Sequence, residues 1–394
     1  MIYVVDAIMS KGKTSAAFKY MNEHPTEHFM YVTPFLSECE RAQAACPALH
    51  FEAPNDEFFP SKSIHLNILM RDGKNIVLTH SLFKYLTESA ISSIQAYHYT
   101  LILDEELEVV DDVKMTTDDQ QILKEQGLIR IDPETKQLQW LDPSYEGEYR
   151  RFKDKTERKT LYLGSSNAVL WVFPPALLLA FEKVFVLTFL FNASTFSFYC
   201  RHFNISYEYW HVEDNILLPG YQAVSSSEKE RFRELIQIHE ERSNLNRIGE
   251  TRTALSKSWY QAATRDTLSA LGNNAANFLR HYAHASVSEV MWSTFSDYEQ
   301  KVAKARMRRT HIPCNSRATN VYADKSALAY LVNIYPSPVI TNYLSDGESF
   351  DAEAYALSQL LQWIWRSRIR RGESIRLYIP SSRMRRLLQN WLRE

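Results

Sequence analysis

The chain has 394 residues, 45% of them hydrophobic, 13% aromatic and 23% charged, with a formal net charge of −2. That length exceeds one ordinary domain and supplies enough apolar residues for two buried cores, while the near-neutral balance excludes bulk polycation binding of nucleic acid and leaves only local basic patches. The longest apolar stretch, residues 168–181, is broken by Pro174-Pro175, and the four cysteines form no CxxC pair; a membrane span and a thiolate metal cluster are therefore not expected.

Residues 2–5 are a short apolar run closed by Asp6, so no leader is expected and the protein reads as cytoplasmic. Ala7-Ile8-Met9-Ser10-Lys11-Gly12-Lys13-Thr14 follows, and residues 15–21 then have helical spacing. Strand, tight loop, Gly-Lys-Thr and helix together make the context of a phosphate-binding loop. Backbone N–H groups and the helix N-terminus present partial positive charge to a polyphosphate. Gly12 lets the backbone come close, Lys13 reaches the β- and γ-phosphates, and Thr14 offers a hydroxyl to Mg²⁺. Ala7 stands at the usual first glycine and Ser10 where another glycine often sits. Ala7, Ser10, Lys11, Gly12, Lys13, Thr14 and Ser15 are the nucleotide-binding candidates.

Downstream, residues 28–33, 75–79, 99–103, 169–173 and 184–189 are apolar runs separated by helical stretches such as 36–45. Runs without polar alternation predict a parallel sheet covered on both faces. The run 99–103 leads into Asp104 and Glu105, which places two acids at the carboxyl edge of the sheet. There Asp104 would hold Mg²⁺ through water and Glu105 would orient an attacking water. Residues 112–165 have a different character: a polar helix at 117–125, a hairpin at 128–141 and a basic helix at 150–159, read as an insertion. A strand is expected at 206–212, a long charged helix at 228–242, and helices from there to about 309. Strands return at 311–314, 327–332 and 374–379, with helices at 351–371 and 383–393. The fold class is thus α/β, with a second α/β unit preceded by a helical elaboration.

A second constellation lies at 362–371. On a continuous helix Gln362, Arg366 and Arg370 are spaced by four and share one face, while Trp363 and Trp365 pack elsewhere. Arginines so placed suit transition-state charge on a γ-phosphate; a basic surface helix is the alternative.

The set resembles a superfamily 2 helicase of the DEAD/DEAH type. The motifs are A-x-x-x-x-G-K-T at Ala7 to Thr14, D-E-x-x at Asp104 to Leu107, and Q-x-x-x-R-x-x-x-R at Gln362 to Arg370. Weaker pieces agree: Val32-Thr33-Pro34-Phe35, Val77-Leu78-Thr79-His80, Val186-Leu187-Thr188-Phe189 and Arg317-Ala318-Thr319-Asn320. The phrase Tyr378-Ile379-Pro380-Ser381-Ser382-Arg383 is similar to compact bacteriophage-encoded members. The resemblance implies two tandem RecA-like domains: residues 1–205, a linker and elaboration at 206–310, and a second core at 311–394. It also implies ATP and Mg²⁺ between the domains, with Glu105, Asp104, Gln362, Arg366 and Arg370 catalytic. The implied partner is single-stranded or forked DNA, with RNA as the alternative, alongside replication or recombination proteins. Thr33, Thr79, His80, Arg317, Arg383, Arg385 and Arg386 are the candidate nucleic-acid contacts. Two other classes stay open: a P-loop ATPase of DNA packaging or another nucleotide-dependent switch that does not unwind, and a binding or scaffold protein with a degenerate ATPase fold.

Overall fold

Aliphatic and aromatic runs form inner strands because both faces of such a strand can be buried. A computed structural model of the chain describes residues 1–164, 167–240, 244–314, 320–345 and 349–394. It divides into two units: Met1–Ala7, Lys11–Gln222 and Ser337–Phe350 in the first, and Ile8–Ser10, Ala223–Pro336 and Asp351–Glu394 in the second.

The first unit begins with strands β1 (Ile2–Asp6), β2 (Phe29–Thr33), β3 (Ile76–Thr79) and β4 (Thr100–Asp104). Between them run helices α1 (Lys13–Glu23), α2 (Leu36–Ala45), α3 (Lys62–Arg71), α4 (His80–Phe83) and α5 (Ile91–Ala96). The insertion follows as β5 (Val110–Val113), α6 (Thr117–Glu125), the antiparallel pair β6 (Ile129–Ile131) and β7 (Leu138–Trp140), α7 (Arg150–Glu157), β8 (Leu161–Leu163) and β9 (Val169–Val172). The chain then returns to the core through α8 (Pro175–Ala180), β10 (Lys183–Thr188), α9 (Thr195–His202), β11 (Tyr207–Glu213) and β12 (Ile216–Pro219).

The main sheet has the order β12-β11-β1-β10-β4-β2-β3. All pairs are parallel except β11 with β12. The registers Asp6↔Thr188 and Leu187↔Asp104 bring the carboxyl ends of β1, β10 and β4 to one edge. Val4, Val32, Leu103 and Val186 pack one face, and Val5, Tyr31, Ile102 and Leu187 the other. Each such fully buried side chain contributes about 1.5–3 kcal/mol. The run at 169–173 does not join this sheet. As β9 it is the centre of a three-stranded antiparallel sheet, β5-β9-β8. An unbroken apolar run reports burial on both faces, not the sheet that provides it.

In the second unit α10 (Ser226–Leu235) starts with a capping box between Ser225 and Glu228. The helix does not continue to 242. Ile236-Gln237-Ile238 alternates, and forms β13 (Ile236–Ile238). Helices α11 (Lys257–Ala262) and α12 (Arg265–Asn277), strand β14 (Val290–Ser293), α13 (Glu299–Val302) and β15 (Ala327–Tyr330) follow. Helix α14 (Pro338–Leu344) belongs to the first unit; α15 (Ala352–Ile364), β16 (Ile375–Tyr378) and α16 (Ser382–Arg393) complete the second. The sheet order is β13-β16-β15-β14, all parallel. The region 206–310 is therefore not one helical elaboration. Its first strands belong to the main sheet of the first unit, and β13 and β14 are core strands of the second. His311 makes only an isolated bridge to Trp292. Trp292 and Tyr260 are core residues of the second unit, at 0% and 1% exposure.

Candidate nucleotide site

The site is built at the carboxyl edge of the first sheet. β1 ends in Asp6, whose carboxylate accepts hydrogen bonds from the backbone N–H groups of Leu190 at 2.9 Å and Phe191 at 3.0 Å. Burial raises the Asp6 carboxyl, and those two bonds oppose the rise. The loop then winds through two left-handed residues, Ser10 at φ 67° and Gly12 at φ 85°. Gly12 also caps α1. A Cβ there would lie 2.6 Å from Oδ1 of Asn215, an exposed side-chain end that can move aside, so it is the left-handed backbone that calls for glycine here. Ser10 takes the left-handed conformation with a side chain attached, which is why its place in the motif looks irregular in sequence.

Lys13 is half-buried and donates from Nζ to the carbonyl of Ala7, within its own loop. Burial pulls its ammonium down to about 8, against the opposing pull of Glu105, Asp6 and Asp104. Thr14 donates its hydroxyl to the Asp104 carboxylate, with oxygens at 3.1 and 3.3 Å. The Tyr31 hydroxyl donates to Oδ2 of the same carboxylate at 2.5 Å. Burial raises the Asp104 carboxyl to about 6; the Tyr31 and Thr14 hydrogen bonds hold it down and Glu105 pushes it further up. Glu105 itself turns out of β4 at φ 70°, with its N–H bonded to the Leu187 carbonyl at 3.2 Å. Sequence reasoning missed Tyr31. The available signal was a phenol in an otherwise apolar strand run, which when buried requires a partner.

The structure thus brings Gly12, Lys13, Thr14, Asp104 and Glu105 together; Lys11 and Ser15 are exposed on the flanks of the loop. It does not leave the expected nucleic-acid contacts on one open surface. Thr33 is 0% exposed and His80 5%, with His80 Nε2 3.1 Å from the Asp104 carbonyl oxygen. Thr79 caps α4 by accepting from the Leu82 N–H. Arg383 is 3% exposed and donates to Asn333, Ile334 and Ala352 while lying over the Tyr335 ring, so it braces the fold and is not open to a phosphate. Arg385 donates to the Ile379 and Pro380 carbonyls, and Arg386 is exposed, 3.6 Å from Glu353. Arg317 lies outside the described residues.

The 362–371 stripe is also corrected. α15 ends at Ile364, and the Ser367 hydroxyl donates to the Ile364 carbonyl at 2.6 Å. A separate 3₁₀ turn, Arg368–Arg371, is capped by Ser367 and closed by Gly372 at φ 75°. Gln362 bonds Ser358, Arg366 is buried, and Arg370 sits in the 3₁₀ turn, so the three do not share one helical face. Trp363 and Trp365 are packing residues, as their places on the expected helix implied.

Among the described residues, no group of three or more His, Cys, Asp or Glu is placed to hold a metal by itself, and no helix is long and apolar enough to cross a membrane. Residues 110–171 match the family model described as the YonV middle domain, and residues 230–392 the YonV C-terminal Rossmann-like domain. The first range coincides with the insertion from β5 to β9, and the second with the sheet of the second unit. Among solved structures, Xpd4 of S. tokodaii is similar with a TM-score of 0.47 and 9% identity, covering 99% of this chain and 94% of that one. An XPD helicase is similar with a TM-score of 0.42 and 9% identity, covering 99% and 95%. The SPbeta prophage-derived uncharacterized protein YonV of Bacillus subtilis (strain 168) is 34% identical over 410 residues, spanning 99% of this chain and 98% of the relative. At that identity and coverage, the chain belongs to the YonV family.

Proposed function

We propose that this chain is a nucleoside triphosphate hydrolase of the P-loop type, working on nucleic acid. The observation that carries the reading is the Thr14 hydroxyl on the Asp104 carboxylate at 3.1 Å, with Lys13 in the same loop and Glu105 one residue on. A hydroxyl and a carboxylate so paired, in a sheet edge with a lysine and a capped helix N-terminus, fit a magnesium-bound triphosphate. Thr14 and Asp104 would hold Mg²⁺, which when bound neutralises charge on the β- and γ-phosphoryl oxygens. Lys13 places an ammonium against the phosphates, and the first turn of α1 adds backbone N–H donors. Glu105 has the position to orient a water and accept its proton.

The motor reading, with ATP hydrolysis driving movement on or separation of nucleic-acid strands, is supported by the motif set and by the two parallel α/β units. The prophage origin of the relative supports a phage role, and DNA replication or recombination is the setting proposed for it. ATPase activity is measured with and without single-stranded DNA or RNA; rates unchanged by either polymer sink the motor reading. Glu105→Gln is expected to retain ATP binding and to lose turnover by at least about 100-fold. Normal turnover in that variant removes Glu105 from the chemistry.

A further inference from the structure

The β11–β12 hairpin stands beside the phosphate-binding loop without a role in the reading above. Its strands pair Val212↔Leu217 and Glu213↔Ile216, so Asp214 and Asn215 are the whole turn. Both are left-handed, at φ 50° and 57°, as a two-residue hairpin turn of this type requires. Turn chemistry explains why an Asp-Asn pair is there. It does not explain where the second side chain goes. The Asn215 carboxamide rests on the loop, with Oδ1 2.6 Å from where a Cβ on Gly12 would be. It is exposed and is not committed to a hydrogen bond among the described residues.

The strand order says which part of a nucleotide this tip would face. β10 and β4 lie on one side of β1 and carry the edge to Asp104 and Glu105; β11 and β12 lie on the other. A triphosphate whose γ-phosphate is directed at the two acids must leave the loop, α-phosphate first, toward the hairpin. We infer that the hairpin tip is the nucleoside-recognition element of this site, with the Asn215 carboxamide hydrogen-bonding the ribose or the edge of the base. The inference rests on the nucleotide reading proposed above. A carboxamide suits the task because it offers two donors and two acceptor sites in one plane.

The test is direct binding, measured by calorimetry in Mg²⁺ on the full chain, of ATP and of inorganic tripolyphosphate. Asn215→Gly is the variant of choice, since Asp-Gly is a favoured pair in this turn and removes only the side chain. The expected result is an affinity for ATP about tenfold weaker, with tripolyphosphate binding unchanged. ATP affinity held within twofold overturns the inference. An equal loss for both ligands also overturns it, because the residue would then shape the loop and not read the nucleoside. Wild-type protein that binds neither ligand overturns the nucleotide reading itself, and this inference with it.

Discussion

Lys13→Met separates what the loop at residues 7–14 would do for triphosphate binding from what the buried ammonium does to stability. Methionine is close in length and apolar, so the loop keeps its packing and loses its charge. Burial lowers the Lys13 ammonium from 10.5 to about 8. A fall of about 2.5 in pKa, at 1.36 kcal/mol for each, corresponds to about 3 kcal/mol of destabilisation from a charge held in the fold. The side chain is half-buried, and remaining solvent brings the figure nearer about 2 kcal/mol. The pH dependence gives the sign. Below pH 8 the lysine is charged in the folded and unfolded chains, and the penalty is complete. Between 8 and 10.5 the folded protein has released the proton while the unfolded chain keeps it, so wild-type stability rises with pH. Above 10.5 both are neutral and the penalty is gone. Urea unfolding without nucleotide or Mg²⁺ should therefore find Lys13→Met about 2 kcal/mol more stable than wild type at pH 7, with the difference falling to below about 1 kcal/mol by pH 10. Other groups that titrate in this range do so in both proteins and cancel in the comparison. A variant less stable than wild type at pH 7, or a difference independent of pH, refutes the reasoning. Triphosphate binding should be lost in either case.

Ser10→Gly should stabilise the protein by up to about 1 kcal/mol in thermal unfolding, because glycine takes φ 67° without a Cβ penalty, and it should retain triphosphate affinity. Tyr31→Phe removes a hydrogen bond that holds the Asp104 carboxyl down, so its pKa should climb above about 6 and the acid limb of the pH–rate profile should move to higher pH; an unmoved limb argues that Asp104 does not govern it. Arg383→Ala should destabilise the chain by about 3 kcal/mol, since it removes a buried side chain and strips the donor from the buried Asn333 and the partly buried Ile334 and Ala352 carbonyls, and nucleic-acid affinity measured well below the unfolding temperature should not change. Arg383→Lys should not restore stability, because one ammonium cannot reproduce the planar fork.

The first half of the site was legible in sequence because its parts are local. Residues 7–14 carry their own strand, turn and helix start, and Asp104-Glu105 ends a strand that apolar composition alone identifies. β1 to β4, β10, α6 and the β6–β7 hairpin follow from the same local signals. What failed depends on partners that composition does not name. β9 has the apolar run of a parallel strand but pairs antiparallel in the insertion. β13 spans three residues at the end of a charged helix, and β14 four residues among helices; periodicity over so few positions decides nothing. The arginine stripe failed for a local reason that spacing hides. Gln362 to Arg370 repeats by four, yet the α-helix ends at Ile364, between the first and second members, where the Ser367 hydroxyl bonds the Ile364 carbonyl.

Strand order was the missing quantity with the most consequence. The sequence places residues 186–189 some 180 residues after the loop, where they are one of the weaker pieces of the helicase resemblance. In the sheet, β10 lies between β1 and β4 and touches both halves of the site. The Thr188 carbonyl accepts from the Ala7 N–H at 3.1 Å, and the Leu187 carbonyl accepts from the Glu105 N–H at 3.2 Å. Immediately beyond, the N–H groups of Leu190 and Phe191 bind the Asp6 carboxylate. One strand end therefore fixes the distance between the loop that would hold a triphosphate and the acid that would direct water at it. A shift of β10 along its axis cannot move one without straining the other, because both are bonded to adjacent residues of the same rigid strand. Displacement of the loop that follows Thr188 would therefore be transmitted to Ala7 and Glu105 together.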